Sequence, residues 1–271
     1  MSTTITQAFV KQFENEVFQA YQRMGSKLRG TVRTKSGVVG SSTVFQKIGK
    51  GIASTKSRHG NVPVMNLDHS AVEVTLQDYY AGDWVDKLDE LKVNIDERQV
   101  IANAGAYALG RKTDELIINA LNTTGNTIPV GTSGLTLDKV QSALELLGAN
   151  EVPDDGERYA VVGWSQWSDL LGLKEFASAD YVGADNLPFA GTQAKRWLGT
   201  LWIPHSGLPV SSGTRTCFWY HKSAVGHAIG SDVVTDITWN GPKAAHFVNN
   251  MMSQGVGMIE TAGVVAINCA E

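Results

Sequence analysis

Residues 5 to 24 place Ile5, Phe9, Phe13, Val17, Tyr21 and Met24 at helical spacing, with Val10 and Phe18 widening the stripe. This pattern predicts an amphipathic helix that stops at Gly25. The Gly/Ser/Thr-rich stretch that follows has too few apolar positions to own a core and reads as an extended arm. Strand patterning returns in TVFQKIGK (43–50) and in AVEVTLQDYY (71–80), where Val72, Val74 and Leu76 alternate. About twenty residues of Gly, Ser, His, Asn and Pro separate the two, a length uncommon for a structureless loop inside a compact domain. The expectation is a hairpin that projects outward and packs on a neighbour instead of on its own domain.

Asn94 to Asn122 reads as one long helix, with Asn94 as cap, Glu97 three residues on, and no proline inside. Its middle is small (Ala102, Ala104, Gly105, Ala106, Ala108, Gly110), which lets other backbone approach closely at some cost in helix stability. It looks like a spine on which other elements lie. After the turn-rich boundary 123–134, a short helix carries Leu137, Val140, Leu144 and Leu147 and stops at Gly148. RYAVVG reads as a strand, WSQWSDLLG as a helical turn, RWLGTLWIP and RTCFWYH as strands, and KSAVGHAIG as a short helix. DVVTDITWN, QGVGMIE and GVVAINC close the chain as strands.

Charge changes this picture. From Val17 to Leu67 there are nine Lys or Arg and no carboxylate, although the whole chain has a formal charge of -4. From Asp68 to Val100 the sign reverses, with nine acids against Lys87, Lys92 and Arg98. Neighbouring blocks of opposite sign need a partner, either each other or another copy of the chain. An acidic balance argues against a dedicated duplex-binding protein, and Phe45 is the only aromatic between Arg23 and Arg58, so stacking on bases is not encoded. Nonspecific contact with a phosphate backbone is compatible with the basic block.

At 271 residues and 42% hydrophobic composition the chain can bury a substantial core. Cys217 and Cys269 sit in apolar strand patterns, so neither a disulfide framework nor a zinc site is expected, and a reducing cytoplasm fits. The first residues lack the pattern of a signal peptide, and no apolar run approaches membrane-spanning length.

Candidate chemistry is sparse. His59, His69, His205 and His246 lie outside any metal-ligand spacing, and His221 and His227 are six residues apart, so structural histidines are expected. Asp154, Asp155 and Glu157 beside Gly156 read as a solvated turn rather than a catalytic pair. No G-x-S-x-G is present, and Cys217 is placed where a thiolate is disfavoured. GKG at 49–51 and GVG at 255–257 fall short of phosphate loops; glycines of this kind mark bulges or close backbone approach. The tryptophans are scattered through strand and helix patterns as core or interface residues. No catalytic residue, cofactor or metal is expected.

The order of elements resembles the major capsid proteins of tailed bacteriophages, most closely those of short-tailed phages. The resemblance runs from FVKQFENEVFQAYQRM and KLRGTVR, similar to an N-arm, through TVFQKIGKG and VEVTLQDYYAGDWVDKLDEL, similar to an extended loop and its return, to the spine helix. YHKSAVGHAIG, DVVTDITW and QGVGMIETAGVVAIN follow in the order of an axial-domain helix and final peripheral strands. The resemblance implies an α+β tailed-phage major capsid protein fold: N-terminal arm at 1–40, extended loop hairpin at 41–80, peripheral domain with spine helix at 81–130, axial domain at 131–232 and returning peripheral strands at 233–271.

It further implies a structural protein whose hexamers and pentamers form an icosahedral shell around double-stranded DNA. A separate scaffolding protein and a portal protein are the expected partners, the DNA is contacted nonspecifically, and no membrane is involved. The virion is the expected location, after assembly in the host bacterial cytoplasm. Some relatives crosslink through a loop lysine; Lys47, Lys50 and Lys56 lie in that region, but noncovalent contact is the default. The polar loop 180–191 would line the centre of each capsomer.

Inter-subunit contacts are expected from Arg23, Lys27, Arg29, Arg33, Lys35, Lys47, Lys50, Lys56 and Arg58 on the basic side. Asp78, Asp83, Asp86, Asp89 and Glu90 stand on the acidic side. Two alternatives are an encapsulin-like nanocompartment shell and, with no catalytic constellation behind it, a cytoplasmic α/β enzyme.

Overall fold

A computed structural model of the chain describes residues 23–88, 97–177 and 194–271. The amphipathic stretch at 5–22, the acids Asp89 and Glu90 and the loop at 180–191 lie outside the described residues. In chain order the first strands are β1 (Arg33–Ser36), β2 (Ser42–Ile48), β3 (His69–Thr75), β4 (Gln77–Asp86), β5 (Thr127–Ile128) and β6 (Arg158–Val162). They are followed by β7 (Lys195–Trp197), β8 (Thr200–Pro204), β9 (Val210–Ser211), β10 (Thr214–His221), β11 (Val225–Asn240), β12 (Ala245–Met258) and β13 (Val264–Ala270). The helices are α1 (Glu97–Leu121), α2 (Leu137–Ala149), α3 (Trp164–Leu171) and α4 (Lys174–Ala177).

The chain divides into two compact units, and α1, β11 and β12 each contribute residues to both. In the smaller unit, Val85 of β4, Ala102 of α1 and Val248 of β12 form the core. The small middle of α1 has the use its composition suggests: a Cβ on Gly105 would collide with the Asn250 side chain and lie 3.1 Å from the Ala81 carbonyl oxygen. Asn250 is buried there and donates to that same carbonyl oxygen at 3.3 Å, so the glycine makes room for a satisfied polar group.

The larger unit is organised on a mixed sheet in the order β5-β13-β10-β6-β8-β7, with β9 on β10. β13 lies between two partners, and Val264, Val265, Ala266 and Ile267 are all buried, as expected of a strand covered on both faces. α2 packs on β13 through the stripe Val140, Ala143 and Leu147. A row of aromatic rings then runs through the core in T-shaped and tilted contacts, Trp167 to Phe176 at 5.6 Å, Phe176 to Trp197 at 5.3 Å, Trp197 to Trp202 at 5.6 Å and Trp202 to Trp219 at 5.2 Å. Their polar edges are met: the Trp219 indole N–H donates to Thr200 Oγ1, and that of Trp202 to the Trp197 carbonyl oxygen.

Several expectations need correction. KSAVGHAIG is not a helix: Lys222–Ala224 make one 3-10 turn, held where the His221 side chain accepts from the Ser223 N–H, and Val225 starts β11. Two glycines and two β-branched residues weaken a helix there, and the Gly226 to Ile229 stretch instead pairs in parallel with β1. RWLGTLWIP is two antiparallel strands, because Leu198 (φ 50°) and Gly199 (φ 68°) form a tight turn with both central residues left-handed. AVEVTLQDYY straddles β3 and β4, which part at Leu76, whose N–H donates to the Ser41 carbonyl oxygen.

The hairpin of β2 and β3 does pack on its own unit at its base, contrary to expectation. Phe45 and Val74 join Ala228 and Ile259 in a second small core. Glycines admit it: a Cβ on Gly226 would lie 2.8 Å from the Phe45 ring, one on Gly257 2.7 Å from Val74, and one on Gly255 would collide with the Thr75 carbonyl oxygen. This is the close approach anticipated for the GVG at 255–257.

Asp114 of α1 ties the start of the arm to this unit. Its buried carboxylate accepts from Ser26 Oγ at 2.5 Å, from the Lys27 and Leu28 backbone N–H groups at 3.1 Å, and from His205 at 3.0 Å. Since His205 Nδ1 accepts from the Gly207 N–H, Nε2 carries the proton that faces Asp114. Burial alone would raise the Asp114 pKa, but the bonds from His205, Ser26, Leu28 and Lys27 outweigh it and hold the carboxyl below its ordinary 3.8.

A group with a depressed folded pKa contributes stability that is complete above its unfolded value and lost as pH falls through the folded one. Asp114→Asn is therefore expected to destabilise the chain at neutral pH by about 3 kcal/mol, with the difference from the parent shrinking below about pH 4. Chemical denaturation across pH checks this; a difference that persists undiminished in acid would show that the carboxylate charge is not what stabilises.

Candidate interaction surface

The basic residues predicted to face a neighbour divide into two groups. Some are engaged within the chain. Arg29 makes a two-pronged contact with Asp232 at 3.0 and 2.6 Å, Lys35 donates to Thr43 Oγ1 at 2.7 Å, and Arg33 lies over the Phe45 ring at 5.7 Å from its centre. Lys47 pairs with Glu260 and Lys50 with Glu151. Arg23 offers its carbonyl oxygen to Arg111.

The others face outward. Lys27 is exposed, and the connection from Gly49 to Asp68 carries Lys56 and Arg58, which make no ion pair among the described residues. Ile52, Val62, Val64 and Met65 are exposed in the same connection, Ile52 and Val64 at 83% and 80%. The hairpin tip thus combines exposed cations with exposed aliphatic side chains. On the acidic side, Asp78, Asp83 and Asp86 are exposed; Asp83 and Asp86 accept from nearby backbone N–H groups of Trp84 and Leu88 at 2.8 Å.

The structure also brings together residues that sequence spacing kept apart. His221 Nε2 lies 3.1 Å from Asp155, and Asp155, Glu157 and His221 present ligand-type atoms within 4.8 Å of one another. The Glu157 N–H donates to Asp155 at 2.9 Å, the bond that leads in holding the Asp155 carboxyl below its usual range, followed by the bond from His221. Glu157 itself pairs with Lys222 at 2.8 Å, so a cation already occupies the open side of the trio. The acid turn is thus a local clasp on the end of β10. His227 is buried and its Nε2 meets Gln254 at 3.0 Å, and the His246 ring makes a tilted contact with Trp239, their centres 4.9 Å apart.

Asp114, Glu151, Asp232 and Glu260 were absent from the predicted set. Asp114 left a trace, because it shares a helical face with Ile117, Ile118 and Leu121 and an acid on an apolar face needs buried donors. The other three are ordinary surface acids in sequence.

The described residues thus carry an exposed basic hairpin tip on an α+β fold. The profile of the phage capsid protein family matches residues 5–271, and the chain belongs to that family. No curated protein matches the chain. Among solved structures, the capsid of cyanophage P-SCSP1u is similar with a TM-score of 0.76 at 17% identity, covering 97% of this chain and 94% of that one. A Mycobacterium phage Che8 structure gives 0.74 at 18% identity with 97% of each chain covered. The capsid of a native GTA particle gives 0.73 at 14%, covering 97% and 96%.

At such identities the likeness is one of fold, and the fold is that of tailed-phage capsid subunits. The protein is accordingly a major capsid protein, a structural component of the virion whose copies build a shell.

Reversing the two free tip charges, Lys56→Glu with Arg58→Glu, is expected to leave the thermal unfolding of the single chain within about 0.5 kcal/mol of the parent, as for exposed sites without partners. The yield of assembled particles should fall sharply. Calorimetry beside sedimentation checks both halves, and unchanged assembly would remove these cations from the interface.

Proposed function

We propose that this capsid protein forms hexamers and pentamers of an icosahedral head of the short-tailed-phage kind, enclosing double-stranded DNA. Assembly takes place in the host bacterial cytoplasm with a separate scaffolding protein and a portal protein. The observation that carries the reading is the exposed hairpin tip, where Lys56 and Arg58 make no ion pair among the described residues and Ile52 and Val64 are uncovered. Alone it leaves apolar surface in water, and an overlying or underlying copy removes that cost. Acids for the cations are at hand on every copy in Asp78, Asp83 and Asp86, with Asp89 and Glu90 continuing the block. The remaining arm cations, Lys27 among them, fit nonspecific contact with packaged DNA.

Negative-stain microscopy of the purified protein, with and without a co-expressed scaffold, is expected to show uniform closed shells. A single small oligomer under all conditions would overturn the proposal, and closed shells filled with protein instead of DNA would turn it toward a nanocompartment. For the charge pairing, Arg58→Glu combined with Asp86→Arg should recover more particles than either change alone. Equal failure of both single variants and the pair, with the subunit folded, would discard that particular pairing.

A further inference from the structure

Past Phe45 and Val74, the hairpin of β2 and β3 has no buried side chain: none of residues 46–73 is buried. Its apolar hold on the larger unit ends there. Two ion pairs continue where packing stops, Lys47 to Glu260 and Lys50 to Glu151. Both acids stand on fixed turns. Glu260 follows β12 and accepts from the Ala262 N–H, and Glu151 follows α2 with a left-handed backbone at φ 55°. Between residues 47–50 of the hairpin and these turns lies a groove of about 480 Å³, whose opposite wall includes the small residues Ala149, Ala224, Ala262 and Gly263.

We infer that Lys47 and Lys50 form an ionic strap across this groove, that the strap sets the pitch of the outer hairpin, and that the outer hairpin swings when the strap is screened. The Lys50–Glu151 pair is exposed, at 76% and 70%, and the Lys47–Glu260 pair is half-buried, at 36% each; neither is enclosed, so both are weak and salt-sensitive. That weakness is what makes the strap exchangeable: neither lysine is buried, and an outside carboxylate can take either one without desolvating it. The open groove leaves residues 47–50 and the hairpin beyond them space to move, whereas the base stays seated on Gly226, Gly255 and Gly257. The Lys50 hydrogen bond and charge hold the Glu151 carboxyl below its usual range, in keeping with a pair that forms in the single chain.

The strap belongs to one chain and stands whether or not shells form, so its test is separate from that of assembly. Nitroxide labels are placed at Val62→Cys on the tip and Glu145→Cys on α2, in full-length chain diluted with unlabelled protein; native Cys217 and Cys269 are buried and do not compete for label. Pulsed dipolar spectroscopy then compares about 0.01 M with about 1 M salt, where the screening length falls from roughly 30 Å to 3 Å. The expected result is a narrow distance distribution at low salt that shifts and widens at high salt.

Lys47→Gln with Lys50→Gln should give the wide distribution at both salts, and Lys50→Glu with Glu151→Lys should restore the narrow one. A distribution that salt leaves unchanged overturns the inference, since it would mean that the packed base alone fixes the hairpin. The salt comparison on the parent charges decides the matter even if the lysine variant does not fold, which circular dichroism would reveal.

Discussion

A buried carboxylate at Asp114 is the constraint on which the larger unit depends. A charge without solvent must be met in full, and here four donors from two separate places in the chain, residues 26–28 and His205, meet it. Ser26 to Leu28 can therefore leave the unit in only one direction, and Leu28 is driven into the core beside Val32. From that point β1 follows as an edge strand on β11, and the arm reaches the hairpin already oriented. One acid thus converts a segment with little core of its own into a fixed lead.

A buried ammonium, that of Lys139 on α2, plays a matching part beside β13. Lys139 Nζ donates to the carbonyl oxygens of Val130, Ser133 and Gly134 at 2.7 to 2.8 Å and to that of Asn268 at 3.1 Å. It closes the turn-rich boundary onto β13 from within. The two sites share a logic: a charged side chain on a helix collects backbone groups from a segment that has no ladder of its own.

Periodicity in sequence carried the spine helix, α2, the strands of the central sheet and the hairpin itself, because each buries a regular stripe. It misassigned KSAVGHAIG, where the apolar spacing admits both periods and the deciding fact is a distant ring, Phe45, lying against Gly226. The hairpin's seat was missed for a related reason, since room made by glycines in β11 and β12 for β2 and β3 is a property of pairs and not of either segment. Surface chemistry was legible as sign and place, a basic block followed by an acidic one. Which cation meets which acid was not, because Glu151, Asp232 and Glu260 become partners only through folding across 101, 203 and 213 residues.

The row of rings from Trp167 through Phe176, Trp197 and Trp202 to Trp219 also has an optical consequence. Indoles held 5 to 6 Å apart in fixed tilts exchange excitation and give strong near-ultraviolet dichroism, whereas Trp84, Trp164 and Trp239 are exposed and report the solvent instead. The protein thus carries two sets of native chromophores, one tuned to the integrity of its interior and one to whatever comes to lie on its surface.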